Sequence, residues 1–166
     1  MKRILSCLLI LILLFIYSAF GEAIVEDGVA VTDDLIVEYG VEYSDPDEVA
    51  LYLYAFCELP CNYIRKSDAR DLGWDSSQGN LWDVAPYCSI GGDKFGNYEG
   101  LLPDASGRKW YECDVNYDGG YRGAERLLFS SDGMICYSGD HYKSYEVLYD
   151  GWYESGSRYN GITEVN

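Results

Sequence analysis

Positive charge is scarce in this chain. Its 166 residues include 12 lysines and arginines against 28 aspartates and glutamates, for a formal net charge of −16. Phosphate neutralisation needs local cation density, so a general nucleic-acid-binding surface is excluded. Any anionic partner must be held by a small basic cluster inside a repelling field. Histidine is scarcer still, since His141 is the single one. No Cys-x-x-Cys spacing occurs, and one histidine cannot build a histidine-rich zinc site, so no metal or other cofactor is expected. An apolar run of membrane-spanning length is also missing. Ile4 to Ile16 is apolar, but it falls short of the ~20 residues that cross a bilayer. Lys2 and Arg3 precede it, and small residues follow from Tyr17 to Ala23. The segment 1–23 therefore reads as a secretory signal cleaved after Gly21 or Ala23, with an uncleaved anchor as the alternative. Cleavage after Ala23 removes Lys2, Arg3 and Glu22, two cations and one acid, which takes the charge from −16 to −17.

Cys7 lies in the discarded segment, and Cys57, Cys61, Cys88, Cys113 and Cys136 remain. An odd count in a secreted chain implies at least one free or intermolecular thiol. Residues 24–43 are acidic with small apolar patches and read as a spacer or pro-like extension. From residue 44 the patterning strengthens. Asp45 can cap a helix, Pro46 suits its first position, and Glu48 completes a capping box. Val49, Leu53 and Phe56 follow at helical spacing, and Leu59-Pro60 stops the run. Shorter helices are expected over 66–72, ending at Gly73, and over 81–85 before Pro86. Strands are expected from Ser89 to Phe95, Lys109 to Tyr117, Glu125 to Phe129, Met134 to Tyr137 and Tyr145 to Tyr149. Ser130-Ser131-Asp132-Gly133 provides a hairpin turn. Helices first and strands afterwards predict an α+β domain over 44–149, with a helix packed on an antiparallel sheet. The tail 150–166 is rich in Gly, Tyr and Ser, without a fold signal. No internal repeat is present.

Strand alternation sets Glu112, Asp114 and Asn116 on one face and Tyr111, Cys113, Val115 and Tyr117 on the other. The second face is core. The first carries two carboxylates that cannot be buried without cations, and Arg122 and Arg126 follow within one turn. A carboxylate, two arginines and a sole histidine make up the parts for metal-free phosphodiester cleavage: a proton acceptor, a proton donor and anion stabilisers. A solvated histidine beside a surface ion-pair ladder is the competing reading.

Several segments resemble the barnase-like family of extracellular microbial ribonucleases. They are Leu59-Pro-Cys-Asn-Tyr-Ile-Arg-Lys-Ser, Leu72-Gly-Trp, Gly79-Asn-Leu-Trp-Asp-Val-Ala-Pro, Ser89-Ile-Gly-Gly-Asp-Lys-Phe, Leu102-Pro-Asp-Ala-Ser-Gly-Arg-Lys-Trp, Glu112-Cys-Asp-Val-Asn-Tyr, Tyr121-Arg-Gly-Ala-Glu-Arg and Asp140-His-Tyr. The match runs from about Asp45 to Tyr145. It implies N-terminal helices packed on a five-stranded antiparallel sheet, the microbial ribonuclease fold.

The resemblance also implies roles. Glu112 matches the general base, His141 the general acid, and Lys66, Arg122 and Arg126 the cations around the scissile phosphate. Asp114 matches a buried acid that pairs with the arginines, and Arg108 with Asp132 a structural ion pair. Asp140 is expected to orient His141. Phe95, Gly96, Asn97, Tyr98 and Glu99 match the guanine loop, and Tyr142 matches a base-stacking residue. Position 96 is glycine where close relatives carry serine. Position 98 is tyrosine where they carry an arginine that helps bind guanine and the acidic inhibitor barstar. Tyr98 can stack on a base but supplies no charge. Arg65 stands where relatives have a helix-capping threonine. By family position Cys113 faces the core as a thiol, and a Cys61–Cys88 disulfide is the first expectation, with Cys57–Cys136 second. The implied protein is a secreted, monomeric endoribonuclease. It cleaves single-stranded RNA 3' of guanosine through a 2',3'-cyclic phosphate, without membrane attachment after signal cleavage, and a barstar-like inhibitor is a candidate partner. A non-catalytic binding or inhibitor-decoy module on the same fold is the alternative.

Overall fold

The computed structural model describes residues 23–151. The expected signal peptide, apart from Ala23, and the tail beyond Gly151 lie outside the described residues. Three strands come first: β1 (Ile24–Glu26), β2 (Val29–Val31) and β3 (Ile36–Glu38). Helix α1 (Pro46–Phe56) follows. The Asp45 carboxylate caps it by accepting from the amides of Asp47 at 2.9 Å and Glu48 at 3.4 Å. Cys57 closes it in the left-handed region at φ 58, and its N–H donates to the Leu53 carbonyl, as helix C-termini commonly require. The helix thus ends before the Leu59-Pro60 stop. Then come β4 (Tyr63–Ile64), α2 (Lys66–Asp71), α3 (Leu81–Val84) and five strands. Those strands are β5 (Ser89–Phe95), β6 (Trp110–Asp114), β7 (Arg126–Ser130), β8 (Met134–Ser138) and β9 (Glu146–Asp150).

The expectation of one five-stranded antiparallel sheet is corrected on two counts. The main sheet has six strands in the order β4-β5-β6-β7-β8-β9, because the two-residue β4 adds parallel to β5. A second, three-stranded antiparallel sheet, β1-β2-β3, is formed by the acidic extension. The extension folds because Asp27 and Gly28 take φ 49 and 79, the paired positive values of a two-residue hairpin turn. Val37 and Ala30 then become fully buried.

Helix α1 is the middle layer. Val49, Ala50 and Leu53 pack on Tyr111, Cys113, Leu127, Phe129 and Ile135 of the main sheet. Leu51, Tyr52 and Ala55 pack on Ala23, Ala30 and Val37 of the small one. A helix apolar on two sides needs a cover on each, and the extension provides the second. The opposite face of the main sheet is left to carry the site.

Neither expected disulfide is bonded. The Cys61 thiol instead donates to the Gly40 carbonyl at 3.3 Å. Cys136 is fully buried among Leu102, Trp110 and Leu128, on the side of the sheet away from α1, so the sheet separates it from Cys57 at the helix end. Burial pushes the Cys136 thiol up to about 11. Cys113 lies in the core under α1, and burial raises its thiol well above the ordinary range.

Candidate active site

Glu112 and Asp114 alternate with core residues along β6, so both point away from α1. Their cross-strand partners are Leu128 and Arg126. Neither acid is surface-exposed: Glu112 is 7% and Asp114 2% exposed. Each has the cation that burial demands. Arg122 grips Asp114 with two bonds of 2.6 Å, through Nε to Oδ2 and through its second terminal nitrogen to Oδ1. Arg126, 3% exposed, adds Nε to Oδ1 at 3.0 Å. It also donates to the carbonyls of Gly123 at 2.9 Å and Glu125 at 2.7 Å. One buried carboxylate thereby orients two guanidiniums, and its bonds raise the Arg122 pKa against the lowering effect of burial.

Glu112 is held on both oxygens. Lys66 Nζ donates to Oε1 at 2.5 Å, and the Tyr142 hydroxyl donates to Oε2. Burial alone would raise the Glu112 pKa, but the bonds from Lys66 and Tyr142 and the charges of Lys66 and Arg122 outweigh it and bring it below the usual carboxylate value. The reverse holds for Tyr142, which burial and its bond to Glu112 push up to about 12.

Lys66 arrives on α2. The N-cap there, Arg65, makes no side-chain cap bond. Asp93 of β5 takes over, accepting from the Lys66 N–H at 3.0 Å. A register shift between Gly91 and Asp93, with Gly92 at φ 86, re-aims Asp93 toward the helix, as bulges do. Gly91 must be glycine, because a Cβ there would lie 2.6 Å from Tyr63 Cδ1 and 2.7 Å from Cys113 Cβ.

His141 and Tyr142 follow β8 with left-handed backbone at φ 59 and 68. Asp140 does not bond His141. Its carboxylate accepts from the Lys143 and Ser144 amides and from the Ser138 and Ser144 hydroxyls, which bring its pKa down to about 2. It shapes the loop that carries His141 and leaves the imidazole exposed. His141 stands 4.8 Å from Tyr142 between ring centroids.

Tyr142 is the hub. Its hydroxyl meets Glu112 and accepts from Arg126 Nε at 3.1 Å, and its ring lies 5.0 Å from that of Phe95. Sequence reasoning gave it only a stacking role. That the hydroxyl would reach Glu112 on β6 from beyond β8 carries no local sequence signal. Beside it opens a pocket lined by Phe95, Asn97, Glu99, Leu101, Leu102, Leu128, Tyr142, Ser144 and Tyr145. Asn97 braces this loop, accepting from the Leu102 N–H at 3.0 Å and donating to the Leu102 carbonyl at 2.9 Å. Gly96 and Tyr98 do not line the pocket. Tyr98 is 94% exposed, while Leu101, Leu102, Leu128, Ser144 and Tyr145 join the walls without having been singled out in sequence. Arg108 and Asp132 form the expected ion pair at 2.8 Å, away from this cluster.

The structure therefore brings Lys66, Glu112, Arg122, Arg126 and Tyr142 into one bonded network, with His141 at its rim and an aromatic pocket beside it. A family model described as ribonuclease matches residues 50–149. A ribonuclease of Heyndrickxia coagulans is 56% identical over 99 residues, covering 60% of this chain and 91% of its own length. Ribonucleases of Bacillus intermedius and Bacillus pumilus show the same identity over 99 residues, and this chain spans 61% of their length. The matched stretch contains the whole network and the pocket, and the chain belongs to the barnase- and binase-like family of microbial endoribonucleases.

Proposed function

We propose that the chain is a secreted, guanyl-preferring ribonuclease that cleaves single-stranded RNA by transesterification and then hydrolyses the 2',3'-cyclic phosphate. The observation that carries this reading is the ionised, buried Glu112 carboxylate set between Lys66 and Tyr142 and next to two oriented arginines. Glu112 takes the proton of the ribose 2'-hydroxyl as that oxygen attacks phosphorus. The P–O5' bond breaks, and His141 protonates the departing oxygen. Lys66, Arg122 and Arg126 face the charge that grows on the nonbridging oxygens, where preorganised donors act most strongly. In the second step water replaces the 5'-oxygen and the two proton carriers exchange roles. The acid, the base and the cations provide every proton and charge that this route needs, so no metal is required.

The pocket beside the network supports base selection. Phe95 and Tyr142 provide ring faces, and Glu99 provides an acceptor for a donor edge such as guanine N1–H and N2–H. The test is cleavage of GpX and ApX dinucleotides by the purified chain, with and without EDTA. GpX is expected to be preferred and EDTA to leave the rate unchanged. Glu112→Ala and His141→Ala are each expected to lower kcat by about 10²–10⁴-fold, the usual worth of one positioned proton carrier. Near wild-type rates for His141→Ala at neutral pH, or rescue of an EDTA-treated sample by a divalent ion, would defeat the mechanism.

A further inference from the structure

Residues 97 and 99 turn into the pocket, whereas Tyr98 between them stands outside it, 94% exposed. A Cβ built on Gly96 would lie 2.3 Å from Tyr98 Cε2, 2.6 Å from Cζ and 2.8 Å from Cδ2. The ring thus passes close over Gly96, where a side chain would stand in its way. Any other residue at 96 would displace it, since no relaxed structure tolerates such a contact. Glycine at 96 and tyrosine at 98 are therefore one feature: a ring that passes over Gly96 and is almost wholly open to solvent, next to the residues that line the pocket.

Resting on the ribonuclease reading above, we propose that Gly96 and Tyr98 form a stacking platform for a second nucleobase, the one on the 5' side of the base held in the pocket. On the 3' side the strand runs toward Glu112 and Arg126, and the ring position there is filled by Tyr142, 5.0 Å from Phe95. Tyr98 is left for the 5' neighbour. Stacking on an aromatic face tolerates any base, so the platform adds affinity for a strand without adding sequence preference. It also suits an acidic protein, since it gains affinity without a further cation.

The experiment measures Kd by NMR titration of the full chain with uncleavable 2'-deoxy ligands, so it does not depend on turnover. The ligand d(ApG) is compared with a dinucleotide of equal charge whose 5' position is an abasic spacer, and with d(GpA). In the wild type and Tyr98→Phe, the 5' base is expected to tighten binding about tenfold, within the range for one base stacked on an aromatic ring. Tyr98→Ala and Gly96→Ala are expected to lose that advantage, and the double variant to be no worse than Tyr98→Ala alone. The upfield ring-current shift of the Gly96 Hα protons, lost in Tyr98→Ala, reports the ring over Gly96 directly. A 5'-base advantage that persists in Tyr98→Ala overturns the proposal. So does an advantage that follows the 3' base of d(GpA) instead. The guanine reading has a separate readout in dGMP against dAMP, and equal affinities there would defeat that reading without altering the Tyr98 comparison.

Discussion

Tyr142 joins four groups that have different parts in the proposed reaction. Its hydroxyl bonds Glu112 and accepts from Arg126, while its ring lies near Phe95 and His141. Tyr142→Phe keeps the rings and removes the hydroxyl. Glu112 then loses one of the two side-chain bonds that lower its pKa against burial, so its pKa is expected to rise. As the base must be ionised to work, the acid limb of kcat/KM on GpX should move to higher pH, with the alkaline limb in place. The sign for stability follows from the same shift. A carboxylate with a depressed folded pKa contributes stability above its unfolded pKa and loses it as pH falls through the folded value. The variant should therefore be less stable than the wild type at neutral pH, with the gap closing in acid. An unmoved acid limb would mean that Lys66 alone sets the Glu112 ionisation.

Among the elements, legibility depended on how local the cause was. Helix α1 and the strands β5 to β9 rest on caps, apolar periodicity and turn residues that lie within a few positions, and they were placed close to where they stand. The small sheet carried an equally local signal, Asp27-Gly28 between two apolar runs, which the acidic composition of 24–43 obscured. Its formation also depends on the far side of α1 needing cover, a tertiary requirement. In the candidate site, the resemblance named Lys66, Glu112, Arg122, Arg126 and His141, and the structure gathers Lys66, Arg122 and Arg126 around Glu112 and Asp114 with His141 at the rim. The cap of α2 was not legible, because it comes from Asp93 through a bulge in another strand. Arg65 remains a poor N-cap: its backbone is extended at φ −72 and ψ 154, as a cap should be, yet it makes no side-chain cap bond, and its Nε is buried without a partner. Arg65→Thr gives the Asp68 amide an acceptor and removes the stranded donor. It is expected to stabilise the fold by about 1 kcal/mol, the usual worth of a threonine cap, seen as a higher urea midpoint with an unchanged slope. No shift would show that Asp93 already satisfies the helix start.

For the whole molecule the question is how so acidic a chain approaches RNA. The layers separate the charges. The extension, which carries Glu26, Asp27, Asp33, Asp34, Glu38 and Glu42 and no cation, packs on the side of α1 away from the main sheet, whereas the site occupies the opposite face of that sheet. Within the site, Lys66, Arg122 and Arg126 stand against Glu112 and Asp114, so three cations and two carboxylates leave little positive excess. Two opposed effects of salt follow. Screening weakens the long-range repulsion between the net charge of −16 and the strand, over a Debye length of ~10 Å at 0.1 M. Counterion competition weakens each phosphate contact, with a slope that scales with the number of contacts. With few net cations to displace and a large net charge to screen, the first effect should dominate at low ionic strength. The cleavage rate of a long single-stranded RNA at subsaturating concentration is expected to rise or stay flat up to moderate salt and to fall only beyond it. A dinucleotide, which meets less of the repulsive field, should show a smaller rise. A steep monotonic decline for the long substrate would mean that the potential at the cleft, facing away from the acidic extension, governs the encounter.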